Sequence, residues 1–347
     1  MSRELKLLKR ALRGYFSYKL GRPKPLLAVF YVTARCNLRC VFCERWKKRE
    51  GELSTKEALE VIDKLYDEGV VYINYSGGEP LLRKDLEILA ERSRDYGCIN
   101  TLNTNGTLIT PLRAKRLGRV FDAITVSLDG FEEVHDKTRG VRGAFKYALK
   151  GIENLKRYSG TAVGVATTIY SANWHEVKEF FLYLKDRVDY VSFQPIGGTV
   201  ERAYPPPEEL SVPKEGIDKL VNGLLSLKEE NEGYLVDPYW YIMGLRDYFR
   251  GRMEVKLCDA GKLYVGVNWK GELMLCPIRE DTVIGNILSK EFKELLLSNG
   301  NAWAKVLKCE GCWSQCTTII SGTFRYGLGN LLQLKDMLKL WRIKRVN

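Results

Sequence analysis

Short apolar runs alternate with helical patterns along the first half of the chain. Six of these runs are mostly rich in β-branched and aromatic residues, as buried parallel strands are: Leu26–Thr33, Val70–Tyr75, Cys98–Asn103, Ala123–Leu128, Ala162–Thr168 and Asp189–Gln194. Because strand and helix alternate six times, the pattern predicts a parallel α/β sheet, either open or curled into a partial barrel. Ligands of such sheets bind beyond the carboxyl ends of the strands.

The clearest helix signal begins at Ser54. Ser54 and Glu57 have the spacing of a capping box, and Gly69 marks the end of the helix. The predicted apolar face of this helix consists of Leu59, Ile62 and Leu65.

The pattern changes after Gln194. Pro205–Pro207 and the two glutamates that follow predict a stiff linker, and a helix is expected over Val212–Glu229. We therefore divide the chain into an N-terminal helix, a barrel, a linker with helices, a small cysteine-containing domain and a C-terminal tail, with the boundaries 1–25, 26–200, 201–250, 251–324 and 325–347.

Composition refines this picture. A length of 347 residues with 45% hydrophobic content is enough for about two packed domains. The net charge of +12 lies entirely at the two ends, because residues 1–24 carry +7 and residues 325–347 carry +5. The body of the protein is therefore formally neutral.

The N-terminus lacks the features of an export signal. It is basic and amphipathic, and Leu26–Val32, the longest early apolar run, is too short to span a membrane. These observations predict a cytoplasmic location. In that reducing compartment, clustered cysteines bind metal more often than they form disulfides.

Three cysteines follow the first predicted strand. Cys36, Cys40 and Cys43 have C-x3-C-x2-C spacing. This arrangement supplies three thiolates to a cubane iron–sulfur cluster that can take four ligands, so one iron stays open for a chelating molecule. A zinc site would want further ligands nearby, and the nearest other cysteine is Cys98.

A second motif, Ser76–Pro80, follows the second predicted strand. Its two glycines, Gly77 and Gly78, allow a close backbone approach, and Glu79 adds a carboxylate that can hold an ammonium group. With Phe42 before the last cysteine of the loop, the two motifs resemble those of radical S-adenosylmethionine (SAM) enzymes.

This resemblance implies a partial (βα)6 barrel similar to a TIM barrel, a [4Fe-4S] cluster on the three cysteines, and binding of the SAM amino group by the Gly-Gly-Glu-Pro segment. Relatives with similar segments use the counterparts of Ser127 and Arg139 around the ribose and carboxylate of SAM, and Asn105 is expected nearby. The alternatives are turn capping for Ser127 and a surface ion pair for Arg139.

The remaining cysteines form a second set. Leu263–Asn268 and Glu272–Leu275 predict a hairpin that turns at Lys270–Gly271 and brings Cys258 and Cys276 together. Further ligands are available in a C-x2-C-x3-C arrangement: Cys309, Cys312 and Cys316.

This second set resembles the SPASM extension, or its single-cluster form called twitch. Five cysteines replace the seven of the full SPASM pattern, which favours one auxiliary [4Fe-4S] cluster and one spare cysteine, with Cys316 as the candidate. A zinc hairpin with four cysteine ligands fits the spacing equally well.

The activity that the resemblance implies is reductive cleavage of SAM. An electron from a low-potential donor, passed through the cluster, yields a 5′-deoxyadenosyl radical that abstracts hydrogen from the substrate. The chemistry would be sensitive to oxygen. The substrate stays open among peptides, small molecules and lipids.

The charged tails suggest a further partner. An N-terminal stripe and a C-terminal stripe lie among basic residues at helical spacing, and they consist of Leu5, Leu8, Leu12 and Tyr15, and of Leu331, Leu334, Leu338 and Trp341. Such helices either lie on anionic membrane or pack on the barrel. A nucleic-acid-binding or RNA-modifying protein with a zinc hairpin is the alternative class, which the neutral body disfavours.

Overall fold

A computed structural model of the chain describes residues 3–22, 24–48, 51–197, 206–253, 256–298 and 300–326. The expected C-terminal stripe and the first proline of the expected linker lie outside these residues. Among the described residues, no helix is both long enough and apolar enough to cross a membrane.

The strands confirm the predicted alternation. In chain order they are β1 Leu27–Thr33, β2 Tyr72–Gly77, β3 Ile99–Thr104, β4 Ala123–Ser127, β5 Ala162–Ile169, β6 Tyr190–Pro195, β7 Tyr264–Val267, β8 Glu272–Met274 and β9 Val283–Asn286. Strand β2 extends two residues past its predicted end. The apolar signal stops there because Ser76 and Gly77, which continue the strand, are not apolar.

The described α-helices are α1 Arg3–Lys19, α2 Thr55–Asp67, α3 Leu86–Asp95, α4 Pro111–Val120, α5 Glu132–Arg139, α6 Ala144–Tyr158, α7 Val177–Leu184, α8 Lys214–Glu230, α9 Tyr239–Phe249, α10 Phe292–Ser298, α11 Gly300–Lys308 and α12 Gln315–Tyr326. The capping box of α2 is confirmed: the Ser54 hydroxyl accepts a hydrogen bond from the Glu57 amide, and the Glu57 carboxylate accepts one from the Ser54 amide. This pairing satisfies two amides at the start of α2.

The nine strands of the described residues belong to one sheet, in the order β6-β5-β4-β3-β2-β1-β7-β8-β9. Strands β1 to β6 are parallel, as expected for a (βα)6 barrel. The predicted hairpin is present as the antiparallel pair β7–β8, and β7 also pairs in parallel with β1. The sequence predicted this hairpin but not that it would extend the barrel sheet.

The two faces of the sheet differ in polarity. On the face toward the helices, Phe30, Tyr75 and Phe121 pack ring against ring, with centroids 6.3 Å and 5.5 Å apart. Burial of each large apolar side chain contributes about 1.5–3 kcal/mol. On the opposite face Asn74 donates to the Thr101 hydroxyl at 2.8 Å. This polar face is the inside of the partial barrel.

Helix α1 packs on the body of the protein through part of its surface. Gly14 lies against Leu26, and the rings of Tyr15 and Tyr18 contact Phe324. At Tyr15 the structure therefore agrees with the alternative that the stripe packs on the protein. The exposed apolar side chains on this helix and just after it are instead Leu12, Phe16 and Leu20, while the side chains of Leu5 and Leu8 lie outside the description.

Candidate active site

The carboxyl ends of β1 to β6 surround an open polar surface. The Asn103 side chain on β3 is exposed although its strand lies inside the sheet, and Ser127 and Gln194 at the ends of β4 and β6 are half-buried. A side chain in a central strand is exposed only where the inside of the barrel is open to solvent. The expected ligand-binding edge is therefore accessible.

The cysteine loop after β1 lies at this edge. The Cys43 amide donates to the Cys40 carbonyl at 3.1 Å, which closes a turn between these two cysteines. The amides of Arg39 and Val41 donate to the carbonyls of Arg139 and Thr138, both at 2.9 Å. The end of α5 thus fixes the loop through its backbone.

The three thiols of this loop act on one another electrostatically. Burial raises the pKa of Cys36 to about 12, and Glu79, Cys40 and Cys43 add smaller increases. Burial also raises the pKa of Cys40, where Arg139 opposes the shift and Cys43 adds to it. The thiols of Cys40 and Cys43 therefore lie close enough to Cys36 to influence its ionisation.

Among the described residues, no group of Cys, His or acidic side chains is arranged to hold a single metal ion. A cubane cluster has a different requirement, because each of its cysteines binds a different iron atom. The donor set of Cys36, Cys40 and Cys43 fits such a cluster: the described cysteines are free thiols, and these three are half-buried.

The glycine pair after β2 lies directly against the start of the cysteine loop. The Gly78 amide donates to the Thr33 carbonyl at 2.8 Å, and the Glu79 amide donates to the Arg35 carbonyl at 2.7 Å. A Cβ atom at position 78 would lie 2.3 Å from the Arg35 oxygen, and one at Gly77 would lie 2.3 Å from the Thr33 oxygen. Only glycine permits this approach.

The Glu79 carboxylate is fully buried and accepts three hydrogen bonds. One oxygen accepts from the Thr104 hydroxyl at 2.7 Å and from the Leu81 amide at 3.0 Å, and the other accepts from the Asn105 amide at 2.7 Å. Burial raises the pKa of Glu79, and these three donors oppose the rise. Glu79 therefore joins the loops after β2 and β3, a role that the motif did not predict.

Asn105 connects the same β3 loop to the cysteine loop. Its side-chain amide donates to the Asn37 side-chain oxygen at 2.8 Å, and its own oxygen accepts from the Thr107 hydroxyl at 2.7 Å. Ser127 lies at the end of β4, on the same face as Thr125, whose hydroxyl contacts the Tyr190 hydroxyl at 2.8 Å. Both residues thus lie at the open edge of the barrel.

Arg139 is buried rather than part of a surface ion pair. Its guanidinium lies 2.6 Å from Asp129, donates to the Cys40 sulfur at 3.7 Å, and lies 5.7 Å from the ring centre of Phe42. Burial alone would lower the pKa of Arg139, but Asp129 and Cys40 raise it above its usual value. The surface alternative is wrong, and Arg139 brings a fixed positive charge to the first cysteine set.

Asp129 is a site residue whose role the sequence analysis missed, although it lies in the Ser-Leu-Asp-Gly segment that contains Ser127. Besides pairing with Arg139, it accepts a hydrogen bond from the Thr168 amide at 3.1 Å. Burial and the Arg139 charge lower the pKa of the neighbouring His135 well below its usual value, and its Nδ1 accepts a hydrogen bond from the Asp129 amide at 3.1 Å. Asp129 is thus the anion that compensates Arg139.

The C-terminal cysteines come together beside the hairpin. Burial raises the pKa of Cys276, and Cys312 and Cys258 add to this rise. Burial raises the pKa of Cys312 to about 12, with further increases from Cys258 and Cys316. Cys309 instead forms a hydrogen bond with Arg279. This bond raises the pKa of the Arg279 guanidinium, although Asp281 raises it more.

One tyrosine of the barrel sheet lies beside the second cysteine set. Tyr31 on β1 is buried, and its hydroxyl donates to the carbonyl of Pro277, the residue after Cys276. Burial raises the pKa of Tyr31, and Cys316 and Cys276 increase it further. This contact follows from the pairing of β7 with β1, which the sequence pattern did not reveal.

Comparison with known proteins agrees with this geometry. The profile of the Radical SAM superfamily matches residues 30–184. The chain is 31% identical over 299 residues to the Fe-coproporphyrin III synthase of Methanosarcina barkeri, which covers 80% of this chain and 75% of that protein. It is 28% identical over 282 residues to the mycofactocin maturase MftC of Mycolicibacterium smegmatis, and this match covers 78% of this chain and 70% of that protein.

Other matches are partial. The chain is 37% identical to an AdoMet-dependent heme synthase of Methanosarcina barkeri over 47% of its own length, and that match spans about half (48%) of the relative. Among solved structures, anSMEcpe with bound AdoMet and the Kp18Cys peptide has a TM-score of 0.63 at 22% identity, covering 79% of this chain and 81% of that one. This likeness supports the fold.

A parallel partial barrel with a three-cysteine loop at its carboxyl edge defines an iron–sulfur enzyme of the TIM-like α/β class. The chain belongs to the radical SAM superfamily. It is an enzyme that uses a [4Fe-4S] cluster and SAM, and its resemblance to the SPASM and twitch members, which carry auxiliary clusters, is confirmed. The comparisons do not support the nucleic-acid-binding alternative.

Replacing Glu79 by Gln tests the structural role of its carboxylate. The amide group would place its own hydrogens against at least one of three donors, so we expect the unfolding free energy to fall by about 1–3 kcal/mol. Thr104→Val, which removes one donor and keeps the charge, should cause a smaller loss. Denaturant unfolding of both variants measures this, and an unchanged midpoint for Glu79→Gln would contradict the assignment.

Proposed function

We propose that this radical SAM enzyme acts on an iron tetrapyrrole with carboxylate side chains. The observation that supports this most directly is the 31% identity to Fe-coproporphyrin III synthase, which extends over three quarters of that relative. The heme synthase of Methanosarcina barkeri adds a second tetrapyrrole relative over a shorter span. A peptide substrate is the second candidate, because the similar anSMEcpe structure contains a bound peptide.

For the cofactors, the proposal assigns residues at the open edge. Cys36, Cys40 and Cys43 bind the first cluster. These residues would hold SAM between the Gly-Gly-Glu-Pro segment and Arg139, and the proposed cofactor contacts are Phe42, Gly77, Gly78, Glu79, Asn105, Ser127 and Arg139. Because three protein donors already occupy the Glu79 carboxylate, its contact with the SAM ammonium uses the remaining acceptor positions. SAM affinity that is equal in Glu79→Gln and Thr104→Val would contradict this role.

Cofactor and protein divide the chemistry. Together, a reduced cluster and SAM supply a radical that abstracts a hydrogen atom from carbon. The protein positions the reacting groups and protects them from solvent. Asp129 holds the positively charged Arg139 side chain beside Cys40. The polar inner face of the barrel offers hydrogen-bonding groups to the substrate, among them the exposed Asn103. A low-potential donor supplies the electron.

For the auxiliary [4Fe-4S] cluster we propose Cys258, Cys276, Cys312 and Cys316 as ligands. Cys312 and Cys258 add to the raised pKa of Cys276, and Cys258 and Cys316 add to that of Cys312, which supports this set, whereas Cys309 forms a hydrogen bond with Arg279. This choice replaces Cys316 with Cys309 as the spare cysteine. In this proposal the cluster-binding segment keeps the boundaries 251–324 and the barrel keeps 26–200, although they share one sheet.

The ligand assignment predicts iron content. After anaerobic reconstitution the chain should hold about eight irons, since each cubane contains four. Cys309→Ser and the core variant Cys98→Ala should keep about eight, whereas Cys312→Ser should keep about four. Iron and zinc analysis of purified protein measures this. Loss of four irons from Cys309→Ser, or zinc at the second set, would refute the assignment.

The substrate proposal predicts stimulated SAM cleavage. With a strong reductant, the protein should release 5′-deoxyadenosine slowly, and Fe-coproporphyrin III should raise the rate severalfold while the mass of the tetrapyrrole changes. Liquid chromatography with mass spectrometry follows both products. A variant with alanine at Cys36, Cys40 and Cys43 is the inactive control. Stimulation by peptides alone would favour the second candidate.

We also propose that α1 places the cytoplasmic enzyme at anionic membrane surfaces. Leu12, Phe16 and Leu20 are 47%, 61% and 72% exposed, four residues apart, and they lie beside the exposed Lys9 and Arg13. Apolar side chains flanked by basic ones fit the interface of an anionic bilayer. Each basic residue near such a surface adds about 1 kcal/mol of attraction.

Vesicle binding tests this contact. The full chain should co-sediment with phosphatidylserine-containing vesicles, less with phosphatidylcholine alone, and less in high salt. A triple variant with serine in place of Leu12, Phe16 and Leu20 should no longer sediment with the vesicles. As a matched control, serine at Leu297 and Leu307, which are also exposed, should change nothing. If the triple variant sedimented with the vesicles as well as the double variant does, the proposal would be contradicted.

A further inference from the structure

A buried arginine between the two cysteine sets has hydrogen-bonding capacity that the described residues do not use. Arg45 follows Cys43 by two residues and is 1% exposed. All three nitrogens of its guanidinium lack a hydrogen-bond partner among the described residues. A guanidinium carries five donors, and proteins rarely bury them unpaired. The part of the chain that the structure describes therefore leaves these donors available to a ligand.

The surroundings of Arg45 fix its position without satisfying its donors. The guanidinium carbon lies 4.1 Å from the ring centre of Tyr31 and 5.7 Å from that of Trp269. These rings attract the cation through its flat face and leave the edge with the N–H groups free for another partner. Because Tyr31 contacts Pro277 and Trp269 lies between β7 and β8, Arg45 lies between the first cluster loop and the auxiliary hairpin.

One carboxylate approaches Arg45, but the contact is poor. An oxygen of Glu280 lies 3.4 Å from a terminal nitrogen of Arg45, and this oxygen has no hydrogen-bond partner either. The other Glu280 oxygen accepts a hydrogen bond from Lys48 at 2.6 Å. The Glu280 side chain is 25% exposed, against 1% for Arg45. Glu280 thus covers the guanidinium from the solvent side while its stronger bond is to Lys48.

We propose that Arg45 binds a carboxylate of the substrate, which replaces Glu280 at the guanidinium. Exchange of one carboxylate for another preserves the charge next to the guanidinium. A ligand carboxylate that approaches the N–H edge of the guanidinium forms two aligned hydrogen bonds instead of one long contact. The inference rests on the proposed tetrapyrrole substrate, whose acidic side chains supply the carboxylate. It places the substrate between the two clusters.

The test compares substitutions on the two sides of the contact. The full-length protein with both clusters and SAM is titrated anaerobically with Fe-coproporphyrin III by equilibrium dialysis. Arg45→Lys keeps the charge but loses the fork, so the dissociation constant should rise about tenfold. Glu280→Gln removes the competing carboxylate, so affinity should increase. Lys47→Met, on the exposed neighbour that pairs with Glu44, should leave affinity unchanged.

The tetramethyl ester of the same porphyrin is the ligand control. It lacks carboxylates, so wild type should bind it more weakly than the acid, and Arg45→Lys should bind it as wild type does. SAM affinity, measured in parallel, should be the same in all variants. Because opposite changes in affinity are expected for Arg45→Lys and Glu280→Gln, a purely structural ion pair gives a different result: both variants would weaken binding alike.

Five outcomes overturn the inference. If both variants weaken binding alike, or neither changes it, Arg45 serves the fold and the tetrapyrrole proposal stands. If Arg45→Lys weakens SAM binding instead, the guanidinium belongs to the SAM site. If wild type binds acid and ester equally well, no carboxylate is recognised. If wild type binds no porphyrin, the proposed substrate fails together with the inference.

Discussion

The site depends on one backbone contact, the one between the segment after β2 and the segment after β1. Gly77 and Gly78 lie so close to Thr33 and Arg35 that a Cβ atom at either glycine would overlap a carbonyl oxygen. Two amide–carbonyl bonds hold this approach. Since the cysteine loop begins at this contact, its position relative to Glu79 is set by main chain, which has fewer alternative positions than side chains have. The three-cysteine loop and the Gly-Gly-Glu-Pro segment are thereby fixed together.

Buried charged side chains surround that contact, and each is stabilised by a different kind of partner. Glu79 is held by three hydrogen-bond donors, and Arg139 is paired with Asp129. Arg45 lies against aromatic rings, and one carboxylate approaches it at a long distance. Buried charges are costly unless they are paired, so a protein retains them mainly where they serve the site. The degree of pairing separates the groups that organise the loops from the group that is still free to bind a ligand.

The auxiliary segment is built as a continuation of the barrel. Because β7 pairs with β1, the hairpin that carries Cys276 is rigidly connected to the strand that leads into the first cysteine loop. Tyr31 contacts Pro277 beside the hairpin and Arg45 after the first cysteine loop. A substrate between the two sets would therefore meet two clusters whose separation is fixed by the sheet, a geometry that a separate domain on a flexible linker would not hold.

The sequence by itself determined the six parallel strands, the capping box of α2, the hairpin and both cysteine sets, because periodicity, capping and ligand spacing are local properties. It did not determine the β1–β7 pairing, the burial of Arg139 with Asp129, or the three donors around Glu79, since these join residues far apart in the chain. Arg45 shows the difference most clearly. In sequence it is one basic residue among many after Cys43, and only the packing of Tyr31, Trp269 and Glu280 around it makes it a candidate ligand-binding group.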